Sequence, residues 1–210
     1  MYQPYLERLI AWSSTPERKD ELLRAKAEYF ALAGEIFEDD RSFDTRMGAF
    51  LEYWLFDRKL EGTDTTPAQA FLAAEGPSLP PDERDAFDGL TRTVHGVFEV
   101  RKLVTKTGLK VRELVTGADH EVYERRGLIG LAKGDLLEAR LVPWEDKLLF
   151  SGIFLYHPRE ARKPITKELK RRKKAGELPT PGAFAHELSK MALKFERYRN
   201  VSVENIYRFA

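Results

Sequence analysis

Between residues 93 and 157 the chain carries five short runs rich in β-branched, aromatic and leucine residues, at 97–104, 109–114, 121–124, 136–142 and 148–156. Thr107-Gly108, Thr116-Gly117 and Lys133-Gly134-Asp135 punctuate them, and no stretch of helical period intervenes. Parallel pairing needs long crossover connections, usually helical, whereas runs this short joined by glycine turns pair as antiparallel neighbours. The region is therefore expected to form a small antiparallel barrel or strongly curved sheet, SH3-like or OB-like.

The flanking sequence has a different period. Thr15-Pro16 offers a capping residue followed by a proline suited to a first helical turn, and Leu22, Leu23, Lys26, Tyr29, Phe30 and Ala33 keep helical spacing as far as Gly34. Phe43, Met47, Phe50, Leu51, Trp54 and Leu55 make one broad apolar stripe, predicting a second helix after Ser42. Thr66-Pro67 opens a shorter helix through Phe71 and Leu72, and Pro77-Ser-Leu-Pro-Pro81 reads as a stiff non-helical joint before Asp82 caps another. Near the end, Phe184, Leu188, Met191, Ala192 and Phe195 again share one helical face, and the apolar residues of 201–210 should dock on the body. The expected fold is α+β: an acidic helical section (1–91), a small β barrel-like module (92–158), and a basic segment with a C-terminal helix packed on the body (159–210).

Composition removes several classes of function. The chain has no cysteine, which rules out disulfides, thiol nucleophiles, iron–sulfur clusters and cysteine-based zinc sites. Its ten N-terminal residues carry charges within their apolar pattern and do not read as a signal peptide, and the apolar run 148–156 is far too short to cross a bilayer, so a cytoplasmic protein without membrane contact is expected. Charge is nearly balanced overall at +1 but unevenly placed. Residues 1–90 hold 10 Lys/Arg against 19 Asp/Glu, a net −9, and residues 91–210 hold 25 against 15, a net +10. The two sections either neutralise each other within one fold or show opposite faces to different partners.

No catalytic or metal motif emerges from spacing. His186-Glu187 begins like a zincin helix, but Lys190 stands where the second imidazole is needed. His95, His120 and His157 are far apart, so no metal or other cofactor is assigned. Glu38-Asp39-Asp40 with Asp44 lacks EF-hand spacing and reads as helix-end chemistry. The stretch Gly127 to Gly134 lacks the spacing of a phosphate loop, and no G-x-S-x-G elbow occurs.

One local feature stands above composition. From Arg159 to Lys174 nine Lys/Arg are offset by two Glu, a net +7. If Thr166 to Ala175 is helical, Lys163, Lys167, Lys170, Arg171 and Lys174 share a face that can track a phosphate backbone. The expected nucleic-acid-binding residues are Arg162, Lys163, Lys167, Lys170, Arg171, Arg172, Lys173 and Lys174, with DNA or RNA as partner. The bland alternative is a solvated helix, or a counter-charge for the acidic section. A protein-interaction adaptor, using the acidic helices or a strand edge, is the competing function, and an enzyme of unrecognised type is a third.

The phrase Phe50-Leu-Glu-Tyr-Trp-Leu-Phe-Asp-Arg58 with Gly62, Thr66-Pro67 and Phe71-Leu72, then Gly96 to Val100, Leu109 to Gly117, and Gly134 to Pro143, resembles uncharacterised bacterial proteins, some of which end in a cysteine-rich SEC-C zinc motif. The resemblance covers about residues 50–143. It implies a bacterial, intracellular helical-plus-β scaffold and carries no reaction. Without cysteine this chain cannot build the zinc knuckle; its lysine-rich region and final helix stand in that place.

Overall fold

The structure, a computed structural model, describes residues 2–104, 108–124, 130–198 and 200–209; Thr107 and residues 127–129 of the glycine-rich stretch lie outside them. Five helices come first: α1 (Gln3–Ser13), α2 (Lys19–Ala33), α3 (Phe43–Phe56), α4 (Pro67–Glu75) and α5 (Pro81–Thr91). Thr66 and Gln69 close a reciprocal capping box at the start of α4, which satisfies two backbone donors that a helix end otherwise leaves open. Thr15-Pro16 leads first into a 3-10 turn at Pro16–Arg18, from which α2 continues. The proline-rich joint is shorter than its composition implies. Gly76–Ser78 winds into a 3-10 turn and α5 begins at Pro81, so Asp82 lies within its first turn instead of capping it; Pro81 already has the φ that a first helical residue needs.

Six strands follow: β1 (Val94–Val104), β2 (Gly108–Glu113), β3 (Asp119–Tyr123), β4 (Leu136–Trp144), β5 (Lys147–Phe150) and β6 (Leu155–His157). They pair antiparallel in the order β3-β2-β1-β4-β5, with β6 also on β4. The sheet curls into a half-barrel, so the fold is α+β. The run 148–156 is not one strand: Ser151-Gly152 breaks it, Gly152 taking a φ of 96°. The chain pairs with Leu141–Trp144 of β4 before the break and with Leu136–Glu138 after it. The chain ends with α6 (Arg162–Ala175), α7 (Pro181–Arg197) and the short α8 (Val203–Ile206). No helix among the described residues is long and apolar enough to cross a membrane.

Strand alternation sends side chains to two faces. Phe98 and Val100 of β1 join Leu109, Val111, Val122, Leu137, Ala139, Leu141 and Phe150 in an apolar cluster supplied by the sheet itself. The other face carries His95, Val97 and Glu99 of β1, in register with Arg140, Glu138 and Leu136 of β4. Val97 and Leu136 pack with Ile165, Leu169, Phe184, Leu188 and Tyr207 of the C-terminal helices and tail. Val142, further along β4, belongs to the cluster built by α1 to α5 around Tyr29, Phe50, Trp54 and Phe71. His95, Glu138 and Arg140 thus lie between the two helical clusters, on a sheet face covered by helices.

Candidate functional site

α6 is amphipathic in an unusual sense, because charge occupies its outer face and most of its flanks. Ile165, Glu168 and Leu169 are buried, and the half-buried Arg172 completes the inner face. At 100° per residue Lys163, Lys167, Lys170 and Lys174 lie opposite them, and all four are exposed. The stripe runs about 16 Å, the axial run of roughly five phosphates along one strand of a duplex. Among the described residues no ion pair reaches any of these four, nor Lys173.

The arginines of the same segment are committed elsewhere. Arg159 Nε donates to Asp135 Oδ1 at 2.6 Å and Arg162 Nε to Glu99 Oε1 at 2.8 Å. Glu168 accepts from Arg171 and Arg172, and Arg172 closes a two-toothed pair with Glu187 of α7 at 2.8 and 2.9 Å. None of these carboxylates belongs to residues 1–90. The described ion pairs that join the acidic section to the rest run instead from Arg140 to Glu52 and Asp57 and from Arg197 to Asp40. Of the eight residues expected to bind nucleic acid, the structure therefore leaves five lysines unpaired and ties Arg162, Arg171 and Arg172 to carboxylates.

Hydrogen bonds from Arg171 hold the Glu168 carboxyl down at about 2, against the burial that raises it, with Arg172 adding to the effect. A depressed carboxyl stabilises the fold above its unfolded value and stops doing so as pH falls through its folded value. Stability should therefore decline between about pH 4.5 and pH 2, and Glu168→Gln should be less stable than the parent at pH 7 yet lose less over that interval. Urea unfolding at several pH values measures this; parallel curves for parent and variant would refute it.

A second cluster is buried except at its edge, where Asp57 is exposed and His95 half-buried. α3 supplies Glu52 and, just past its end, Asp57; β1 supplies His95, β4 Glu138 and Arg140, β6 His157, and α7 His186 and Ser189. Arg140 is 1% exposed. Its Nε donates to Glu52 Oε2 at 3.2 Å, its Nη1 to Asp57 Oδ1 and Thr93 Oγ1 at 3.0 Å each, and its Nη2 to Asp57 Oδ2. Burial pushes Glu52 up despite Arg140. Burial also opposes ionisation of Asp57, but Arg140 outweighs it and the carboxyl stays below its ordinary value. His95 Nε2 is 3.1 Å from Glu138 Oε1, and His157 Nδ1 is 3.0 Å from the Tyr207 hydroxyl. Burial drives His157 and His186 down to about 4, so both are neutral at pH 7. Open clefts lie elsewhere: one of about 540 Å³ is lined by Leu109, Glu121, Tyr123 and Lys147, another of about 450 Å³ by Tyr5, Asp82, Arg92 and Trp144.

Residues 17–191 match the model of a family of unknown function, DUF7986. The chain belongs to this family. The matched span runs from the turn before α2 into α7 and contains both the lysine stripe and the buried cluster. No curated protein and no solved structure gives a significant match.

Spacing could not have found the buried cluster, because its members come from five elements far apart in the chain. One weak signal existed: Glu138 and Arg140 alternate with Leu137, Ala139 and Leu141, which reads as a strand with one wet face. That face is covered, and β4 is buried from Leu136 to Val142. Asp40 of the acidic group makes local and long-range bonds, accepting from the Phe37 backbone at 2.8 Å and from Arg197 of α7.

Proposed function

We propose that this protein is a non-enzymatic bacterial binding or regulatory protein of the cytoplasm that engages nucleic acid, or a nucleoprotein assembly, through the outer face of α6. The observation that carries this reading is the row of exposed, unpaired Lys163, Lys167, Lys170 and Lys174. Stability does not account for it. The first turn of α6 holds no acidic residue and begins Arg162-Lys163, against the positive end of the helix dipole. The likeness to the scaffold that sometimes precedes a SEC-C zinc motif belongs to the same proposal, α6 and α7 taking the place of the absent knuckle.

The test is fluorescence anisotropy of labelled DNA and RNA oligonucleotides across a salt series. Neutralising four phosphates gives a slope of log affinity on log salt of about −3.6 on duplex DNA and about −2.8 on single strands. Replacing the four lysines with alanine should remove most of that slope and nearly all binding. Lys163→Gln alone should weaken binding while leaving stability equal or raised by about 0.3–1 kcal/mol. An unchanged slope in the fourfold variant, or no binding by the parent at low salt, would reject the proposal.

A protein partner is the second reading, favoured by Leu23, Leu32 and Phe37, which lie on and just after α2 and are 50–55% exposed. It predicts capture of a partner that survives nuclease and depends on these three residues.

A further inference from the structure

Six buried side-chain polar atoms lack a hydrogen-bond partner among the described residues, and four of them are in the histidine cluster: His95 Nδ1, Glu138 Oε2, His157 Nε2 and His186 Nδ1. Buried polar atoms are nearly always satisfied, so four together mark a place where something else completes the structure. Within this group, one donor atom each from Asp57, His95 and His186 lie within 4.8 Å of one another. We propose that Asp57, His95 and His186 bind a divalent transition-metal ion of the zinc class, joining α7 and the end of α3 to the sheet.

The chemistry of the donors supports this assignment. Two imidazoles and a carboxylate form a borderline set that suits zinc and its neighbours, and a chain without cysteine has only such donors to offer. His95 stands with Nε2 against Glu138 Oε1, so the Nε2 tautomer donates there and leaves the Nδ1 lone pair free. That Nδ1 is 3.8 Å from Asp57 Oδ2. Carboxylate–histidine–metal arrays have this form, the carboxylate fixing both ring and tautomer. Asp57 accepts from Arg140 at both oxygens, but a carboxylate has about four lone-pair sites and keeps others for an ion.

Tetrahedral ligands at about 2.0–2.1 Å sit roughly 3.3–3.4 Å apart, so the three donors must close by up to about 1.5 Å, within the reach of small side-chain rotations. Access is from the Asp57 edge, where 29% of that side chain meets solvent. Charge does not select the ion. Glu52, Asp57 and Glu138 against Arg140 and the buried Arg46 of α3, which donates to Ser189, give a formal −1, which a divalent ion turns into +1; the free lone pairs decide the matter.

The untagged full chain should be stripped with chelator, dialysed and reloaded with zinc or cobalt(II). Retention of one ion per chain, a cobalt spectrum of a four-coordinate nitrogen–oxygen site, and a higher melting temperature are expected. His95→Gln and His186→Gln should each weaken binding at least 100-fold, and Glu138→Gln about 10- to 100-fold, whereas the control His120→Gln, on β3 and outside the cluster, should leave metal binding unchanged. No stoichiometric retention by the parent, or equal uptake by the His95/His186 double variant, overturns the proposal. If those variants fail to fold, X-ray absorption on the zinc-loaded parent decides: two imidazoles with carboxylate oxygen uphold it, and any other histidine count sinks it. Neither result bears on the lysines of α6, whose binding is read separately from oligonucleotide anisotropy.

Discussion

Arg140→Ala should cost about 3–5 kcal/mol of folding stability, a large share of the roughly 5–15 kcal/mol that a folded protein has. The guanidinium is buried and supplies bonds to Glu52, Asp57 and Thr93. Removing it strips the cation from Glu52, which is buried, and from Asp57 at the solvent edge of the cluster, and burial already pushes Glu52 up. Leaving a charge uncompensated is the expensive event; the intact pair is worth far less over an apolar replacement. The loss should read as a lower urea midpoint with an unchanged m value. A loss below about 1 kcal/mol would mean that the cluster is hydrated and that the packing around Arg140 has been misread.

Trp54→Ala should cost about 3–5 kcal/mol through the cavity it opens in the helical cluster. Trp54 is fully buried beside Phe50, Leu55 and Phe71. Its indole nitrogen has no hydrogen-bond partner among the described residues. Replacement with phenylalanine therefore removes a buried donor whose desolvation is uncompensated, and the benefit of about 1–3 kcal/mol offsets much of the lost contact area. Trp54→Phe should accordingly fall within about 1–2 kcal/mol of the parent. The same urea titration measures both variants; equal losses would show that the indole donor is satisfied, contrary to the geometry.

The helices were legible where local chemistry decides them. Thr66, Pro67 and Gln69 satisfy the first turn of α4 among themselves, and the stripe from Phe43 to Leu55 needs only some apolar surface to bury against. The strands were legible down to the last run, where Ser151-Gly152 turned one expected strand into two. A glycine within an apolar run fits a bulge, a break or a close approach equally well, and pairing with β4 on both sides of the break is a long-range event. The basic segment was visible as composition, and its helical period was visible too. Which cations remain free was legible only in part: Glu168 reaches Arg171 and Arg172 within α6 itself, three and four residues on, but Glu187 captures Arg172 only once α6 lies along α7, and Glu99 captures Arg162 only once α6 meets the sheet.

The order of amino acids alone settles helix, then sheet, then helix, together with the absence of thiol chemistry and a local excess of positive charge from 159 to 174. Those properties follow from neighbouring residues, through period, turn chemistry and charge density. Tertiary structure alone decided that His95, His186 and Asp57 meet, because they sit on a strand, a helix and a helix end separated by dozens of residues, and no spacing rule connects them. It alone also decided that Glu138 and Arg140 are covered, since strand alternation fixes which side chains share a face, but only the packing of helices fixes whether water reaches that face.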